Sequence, residues 1–164
     1  EPLVAELRER LKGKRVFICG GTGRSFAAAA LIDDFGMELV GLETPTYDED
    51  AQTDIEYLNG IHENFVVDIA NMQPFEQANL LSKLKPDAFI GVPEWAAKLG
   101  IPTTHVLDGK RPTMGYDGLL FLGNKIADQL QNPGFNVKLA QHVKLLYKNS
   151  WYQENAFKYI KGGN

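Results

Sequence analysis

The sequence predicts an α/β fold: a three-layer, Rossmann-like, doubly wound parallel sheet with helices on both faces and a C-terminal helical extension. Three observations carry this expectation. Short β-branched or aromatic runs alternate with longer helix-forming stretches five times over. Glycine or proline punctuates most junctions between them. A chain of 164 residues, 44% hydrophobic and 23% charged, has the size and mix of one soluble domain with a substantial core of its own.

The elements follow in order. Arg15-Val16-Phe17-Ile18-Cys19 reads as a buried strand, Gly20-Gly21-Thr22-Gly23 as a turn, and Ser25 to Phe35 as a helix whose four alanines allow close packing. Gly36 ends that helix, where a left-handed residue is least costly as glycine. Glu38 to Leu42 is the second strand, and Asp48 to Leu58 a polar helix after the Thr44-Pro45 break. Phe65 to Ile69 is the third strand, followed by a helix from Pro74, in its first turn, to Leu84. Ala88 to Val92 is the fourth strand, Pro93 to Leu99 a short helix, and Thr103 to Leu107 a short fifth strand. A helix from Gly118 to Leu130 follows, then the Asn132-Pro133-Gly134 hinge and an aromatic-rich helical segment from Asn136 to about Tyr159. Residues 1–134 are therefore expected to form the Rossmann-like domain, with residues 135–164 a helical extension packing on it.

Composition excludes several classes. One cysteine, Cys19, allows neither a disulfide framework nor a thiolate zinc site nor a self-contained iron–sulfur cluster. Cys19 is expected to be a buried core thiol. No apolar run approaches the roughly 20 residues of a membrane span, and no signal peptide is visible, so a cytoplasmic, membrane-free protein is expected. Residues 131–164 carry a net charge of +4 and the preceding 130 a net −8. Such an acidic body argues against nucleic acid, whose binding rests on neutralising phosphates. The chain opens Glu1-Pro2 without methionine, which suggests a piece of something longer.

Right-handed crossovers place the C-terminal ends of all five strands on one edge, where ligands of such sheets bind. Two loops there hold the candidate residues. Gly20 to Ser25 combines glycines with a helix N-terminus, a setting that admits anions to backbone N–H groups. Arg24 adds a guanidinium beside them, or pairs at the surface with Asp33, Asp34 or Glu43. A dinucleotide fingerprint would need a small residue where Phe26 stands, although Glu43 suits a ribose-gripping acid; a plain structural turn and a loop for another anion stay open. His105 follows two threonines at a strand end and suits a single metal ligand oriented by a hydrogen bond, or a structural histidine. His62 and His142 are read as surface residues.

The order and spacing of several phrases add a further indication. Lys14-Arg15-Val16, the glycine loop, Arg24, Gly36-Met37-Glu38-Leu39-Val40-Gly41, Lys85-Pro86-Asp87, Gly100-Ile101-Pro102, Gly115-Tyr116-Asp117-Gly118 and Asn132-Pro133 together resemble the third domain of nitrogenase component 1 α-type chains. The similarity covers roughly residues 11–135. His105, Asp108, Pro112, Gly115, Tyr116, Asp117 and Gly118 reproduce the family's histidine stretch without a gap, and histidine there is the most discriminating residue of the match.

The resemblance implies that Gly21, Thr22 and Gly23 bring N–H groups against a metal–sulfur cluster, that Arg24 contacts its sulfide, and that His105 ligates its metal. The implied cofactor is iron–molybdenum-cofactor-like or all-iron, and it belongs to the full-length protein, with none expected on these residues alone. The implied partners are a β-type component 1 subunit, an ATP-dependent iron–sulfur reductase of component 2 type, and the rest of the same chain N-terminal to Glu1. The implied activity is reduction of a substrate at that cluster, with the isolated fragment inactive. Thr22 departs from the close glycine pair of the family. Two alternatives stand beside this reading: a cofactor-assembly scaffold or carrier of the same family, and a nucleotide-binding module using Gly21, Gly23 and Glu43.

Overall fold

The computed structural model describes residues 2–70, 73–92, 94–105 and 115–159. The element order is α1 (Pro2–Leu11), β1 (Arg15–Cys19), α2 (Thr22–Asp33), β2 (Glu38–Thr44), α3 (Glu49–Asn59), β3 (Val66–Ile69), α4 (Pro74–Leu84), β4 (Ala88–Ile90), α5 (Glu94–Lys98), β5 (Thr103–Thr104), α6 (Gly115–Gln131), α7 (Gly134–His142) and a 3-10 turn at Trp151–Gln153. The five strands form one sheet in the order β3-β2-β1-β4-β5, every pair parallel. The reversal of strand order between β1 and β4 makes the fold doubly wound, as expected from the sequence.

Alternation along β1 divides the core. Val16 and Ile18 face one layer, with Leu7 and Leu11 of α1, Phe26 and Ile32 of α2, Leu58 of α3, and Leu122 and Ile126 of α6. Phe17 and Cys19 face the other, with Leu81 of α4, Trp95 of α5, and Tyr147, Tyr152 and Phe157 of the C-terminal segment. Phe17 and Phe89, neighbours on β1 and β4, stack with ring centroids 5.9 Å apart.

Chain reversals follow local chemistry. Asp48 caps α3 by accepting from Ala51 N–H at 2.9 Å. Gly36 adopts φ +64° just after α2, as the sequence requires of it. Gly91, with φ +149°, ends β4 where a Cβ would lie 2.1 Å from the Cys19 carbonyl oxygen. Only glycine lets the ends of β1 and β4 approach so closely.

Two features differ from the sequence expectation. Helix α1 precedes β1 and buries Leu7 and Leu11, and the sequence reading assigned it nothing. Beyond α7 the described chain does not continue as an α-helix: residues 143–150 are irregular, and the 3-10 turn at Trp151–Gln153 and a further turn at 156–159 follow. The aromatic spacing that suggests a helix there serves packing instead. Trp151 Nε1 donates to the Phe75 carbonyl at 2.8 Å, and Asn79 Nδ2 donates to the carbonyls of Trp151 and Glu154 at 2.6 and 3.1 Å. Lys83 adds a bond to the Glu154 carbonyl, so α4 holds the segment along its length.

Candidate functional site

The C-terminal edge of the sheet gathers the β1–α2 loop, the ends of β2 to β4, and His105 just past β5. Helix α2 begins at Thr22 behind an N-cap glycine, Gly21, with no side-chain cap and no acidic residue in its first turn. Its first backbone bonds run from Arg24 and Ser25 to the Gly21 carbonyl, at 3.0 and 2.9 Å. The N–H groups of Thr22 and Gly23 lie ahead of these bonds, at the positive end of a twelve-residue helix. Gly21 and Gly23 are exposed, and a Cβ on either would meet no atom within 4 Å. Beneath them the buried Ser25 hydroxyl has no hydrogen-bond partner.

Thr22 is half-buried, with its hydroxyl turned toward β2: it lies 2.6 Å from Thr46 Oγ1 and accepts from Thr44 Oγ1 at 3.0 Å. Thr44, fully buried, thereby ties the loop to the end of β2. The side chain that replaces the family's second glycine thus braces the loop through neighbouring hydroxyls. Arg24 is exposed and forms no ion pair with Asp33, Asp34 or Glu43 among the described residues.

His105 is half-buried, directly after Thr104, whose carbonyl accepts from Gly91 N–H at 2.9 Å. Strand β4 alone separates β1 from β5, so the glycine loop and His105 leave strands about 10 Å apart on one edge. Asp108 and Pro112 of the histidine stretch lie outside the described residues; Gly115, Tyr116, Asp117 and Gly118 open α6, with Tyr116 almost fully exposed. Among the described residues no three His, Cys, Asp or Glu side chains are grouped as a metal site.

The other half of the edge holds residues whose association only the strand register reveals. Cys19, Glu43 and Asp68 are Cα partners across β1, β2 and β3, and α4 covers them with Glu76 and Gln77. Gln77 Nε2 donates to Glu43 Oε2 at 2.8 Å and lies 3.4 Å from Cys19 Sγ. Glu43 is 1% exposed and Asp68 2%. Burial, then the neighbouring Asp68 and Glu76 charges, pushes Glu43 up to about 7, against the lowering effect of the Gln77 bond. Asp68 rises to about 6, from burial first and then Glu76. Burial, with the Glu43 charge, pushes the Cys19 thiol far above its ordinary range, consistent with the inert core thiol expected of it. Because the Glu43 side chain is buried against Gln77 and Cys19, it is not placed to grip a ribose on the open edge. The sequence signal for this row was an acid near the end of two successive strands, level with Cys19.

His62 corrects another expectation. It is buried, its Nε2 donates to the Ala29 carbonyl at 3.0 Å, and its ring meets Phe65 edge-on; it is a structural histidine between α2 and the β3 approach. His142 is exposed, as expected.

Residues 1–131 match the family model described as nitrogenase component 1 type oxidoreductase. The chain belongs to that family. Among curated component 1 type relatives, it is 28% identical over 137 residues to a nitrogenase molybdenum-iron protein alpha chain of Methanothermobacter thermautotrophicus, covering 80% of this chain and 29% of the relative. It is 30% identical over 132 residues to the nitrogenase iron-molybdenum cofactor biosynthesis protein NifE of Sinorhizobium fredii, covering 78% of this chain and 26% of that one. The chain therefore spans less than a third of the length of these relatives. A solved structure, titled nitrogenase Cp1 at pH 6.5, superposes with a TM-score of 0.69 at 18% identity, over 87% of this chain and 33% of the other. That likeness establishes the shared nitrogenase component 1 fold. Among the described residues no helix is long and apolar enough to cross a membrane.

Proposed function

We propose that this chain supplies one wall of a metal–sulfur cofactor site in a component 1 type oxidoreductase, with residues 1–134 as the cluster-facing domain and residues 135–164 as an extension braced on α4. The observation that carries the reading is the open, uncapped start of α2 on the same sheet edge as His105. A sulfide-rich cluster is polyanionic, so it calls for N–H dipoles, a helix N-terminus and a fixed cation. The residues present fit that demand: exposed glycines where the N–H groups point outward, Arg24 beside them, and the unpartnered Ser25 hydroxyl below.

In this reading the N–H groups of Gly21, Thr22 and Gly23 and the guanidinium of Arg24 stabilise negative charge, and His105 ligates the metal through its imidazole. Thr44 and Thr46 hold Thr22 so that its side chain leaves the open edge clear. When bound, such a cluster supplies electrons and a binding point for a substrate undergoing reduction. Ile69 and Val92, exposed apolar residues at the ends of β3 and β4, suit burial under further chain. The electrons come from an ATP-dependent iron–sulfur reductase, a β-type subunit completes the complex, and the setting is the cytoplasm. Residues 1–164 alone are inactive, because the remaining ligands lie outside them.

The test is metal analysis of the full-length protein with and without His105→Ala and Arg24→Ala. Iron with molybdenum or vanadium, or iron alone, is expected in the unaltered protein and reduced several-fold in both variants. Unchanged metal content in both would overturn the reading. A second reading, a cofactor-assembly carrier, is favoured by the NifE relative at 30% identity. Reduction dependent on ATP and reductant separates the two, since a carrier holds metal without turnover.

A further inference from the structure

The row formed by Cys19, Glu43 and Asp68 is unused by the function proposed above, and its chemistry is unusual for a sheet interior. The three residues occupy matched positions on adjacent parallel strands, about 5 Å from one strand to the next. Helix α4 closes over them, its first turn carrying Glu76 and the following residue Gln77. Glu43 Oε1 and Asp68 Oδ2 are buried without a partner. The titratable groups that face Glu43 are Cys19 from β1, Asp68 from β3 and Glu76 from α4, all acids; Asp68 faces Glu76 in turn. The donors that reach Glu43 are both neutral, the amide of Gln77 and the thiol of Cys19.

Two ionised carboxylates in this setting would lie close together, desolvated and without a countercharge, an arrangement that costs far more than two neutral acids. Protonation of each carboxyl removes that charge. We propose that Glu43 and Asp68 are a proton-operated latch, holding the first turn of α4 against the sheet while both are neutral and loosening it when they ionise, because Glu76 on that turn then faces two like charges and the Gln77 bond is left to resist them. The effect is local: β3 ends at the same sheet edge as the glycine loop and His105, and α4 is the next element along the chain.

The direction with pH follows from proton counting. Both groups hold their protons more tightly in the folded protein than in the unfolded chain, where ordinary carboxylates have lost theirs above about pH 4–5. The folded state therefore binds more protons between there and about pH 7, and stability falls as pH rises through that window, levelling above it.

Carboxyl-carbon NMR titration of the chain gives the primary test. The Glu43 and Asp68 resonances are expected to titrate near neutrality; midpoints near 4 for both would overturn the proposal. In thermal melts from pH 5 to 8, the unaltered chain loses stability with rising pH, and Glu43→Gln or Asp68→Asn flattens the decline. Curves that stay parallel to the unaltered chain in both variants would equally overturn it. Hydrogen exchange separates a latch from uniform destabilisation. At pH 8 the amides of Gln77 and Ala78 should gain about tenfold over the base-catalysed rise seen in α6, as for one pH-unit equivalent of local free energy. Equal gains in α4 and α6 would show that no local release occurs. If a variant fails to fold, the NMR titration of the unaltered chain still decides.

Discussion

The two halves of the sheet's C-terminal edge are built on opposite principles. Around β1, β4 and β5 the edge is open: Gly21, Gly23 and Arg24 stand in solvent, and backbone donors point outward from an uncapped helix. Around β1, β2 and β3 it is closed: Glu43 and Asp68 are buried under α4, and Gln77 is spent on satisfying an acid. Strand β1 belongs to both, sending its loop one way and its last side chain, Cys19, the other. The contrast implies that substitutions on the open half leave stability nearly untouched and are felt in ligand binding. Those on the closed half and at the seam are felt in folding.

The seam between the halves gives the largest effect. Gly91→Ala would place a methyl 2.1 Å from the Cys19 carbonyl, at a φ of +149° that a side chain rarely adopts. Backbone strain and overpacking together should cost about 4 kcal/mol, read as a large fall in the urea midpoint. A loss under about 1 kcal/mol would show that the ends of β1 and β4 separate easily, and the seam would lose its meaning.

On the closed half, Gln77→Ala removes the donor to Glu43 Oε2 and should cost about 1–3 kcal/mol. The loss should be greater at pH 8 than at pH 5.5, because Glu43, pushed up to about 7, is charged only at the higher value. Denaturant titrations at the two pH values check the sign; a loss independent of pH would mean that Glu43 does not ionise in that range.

How much of this was legible beforehand follows the same division. The five strands, the doubly wound layers and the open half were readable, because period-two burial in strands and glycine-rich turns before helices are local signals. Gly21, Thr22, Gly23, Arg24 and His105 all sit beside such signals. The closed half was not readable, since nothing in the sequence near Glu43 indicates Cys19 or Asp68; only register joins residues from three strands. From the sequence Glu43 suits a ribose-gripping acid or a partner for Arg24, and its burial under Gln77 removes the ribose role. His62 was misplaced for a related reason: its partner, the Ala29 carbonyl, is 33 residues away. The C-terminal aromatics gave a helical spacing that packing against α4 and α5 explains equally well. Helix α1 offers only Leu7 and Leu11 to the core as fully buried residues, among several charges, and its pattern is correspondingly faint.

Between the halves lies the brace of Thr44. Thr44→Val keeps the volume and removes a hydroxyl that donates to Thr22 and reaches the Thr46 carbonyl at 3.2 Å. The expected cost is about 1 kcal/mol. Hydrogen exchange should quicken at Thr22 and Gly23 while the amides of β1 stay protected. Unchanged exchange in the loop would mean that Arg24 and Ser25, bonded to the Gly21 carbonyl, hold it without help from β2.

The smallest effect on stability is the sharpest test of the open half. Gly23 lies in the first turn of α2, outside the positive-φ region, and a Cβ there would meet nothing within 4 Å. Gly23→Ala should therefore be neutral to stabilising by up to about 1 kcal/mol, since alanine suits a helix better than glycine. If the loop merely turned the chain, that would be its whole consequence. If the exposed N–H groups receive an anion at close range, the added methyl stands in the approach path, and metal content of the full-length protein should fall although the domain is no less stable. Melting and metal analysis on the same variant thus pull in opposite directions, an outcome that a purely structural loop does not produce.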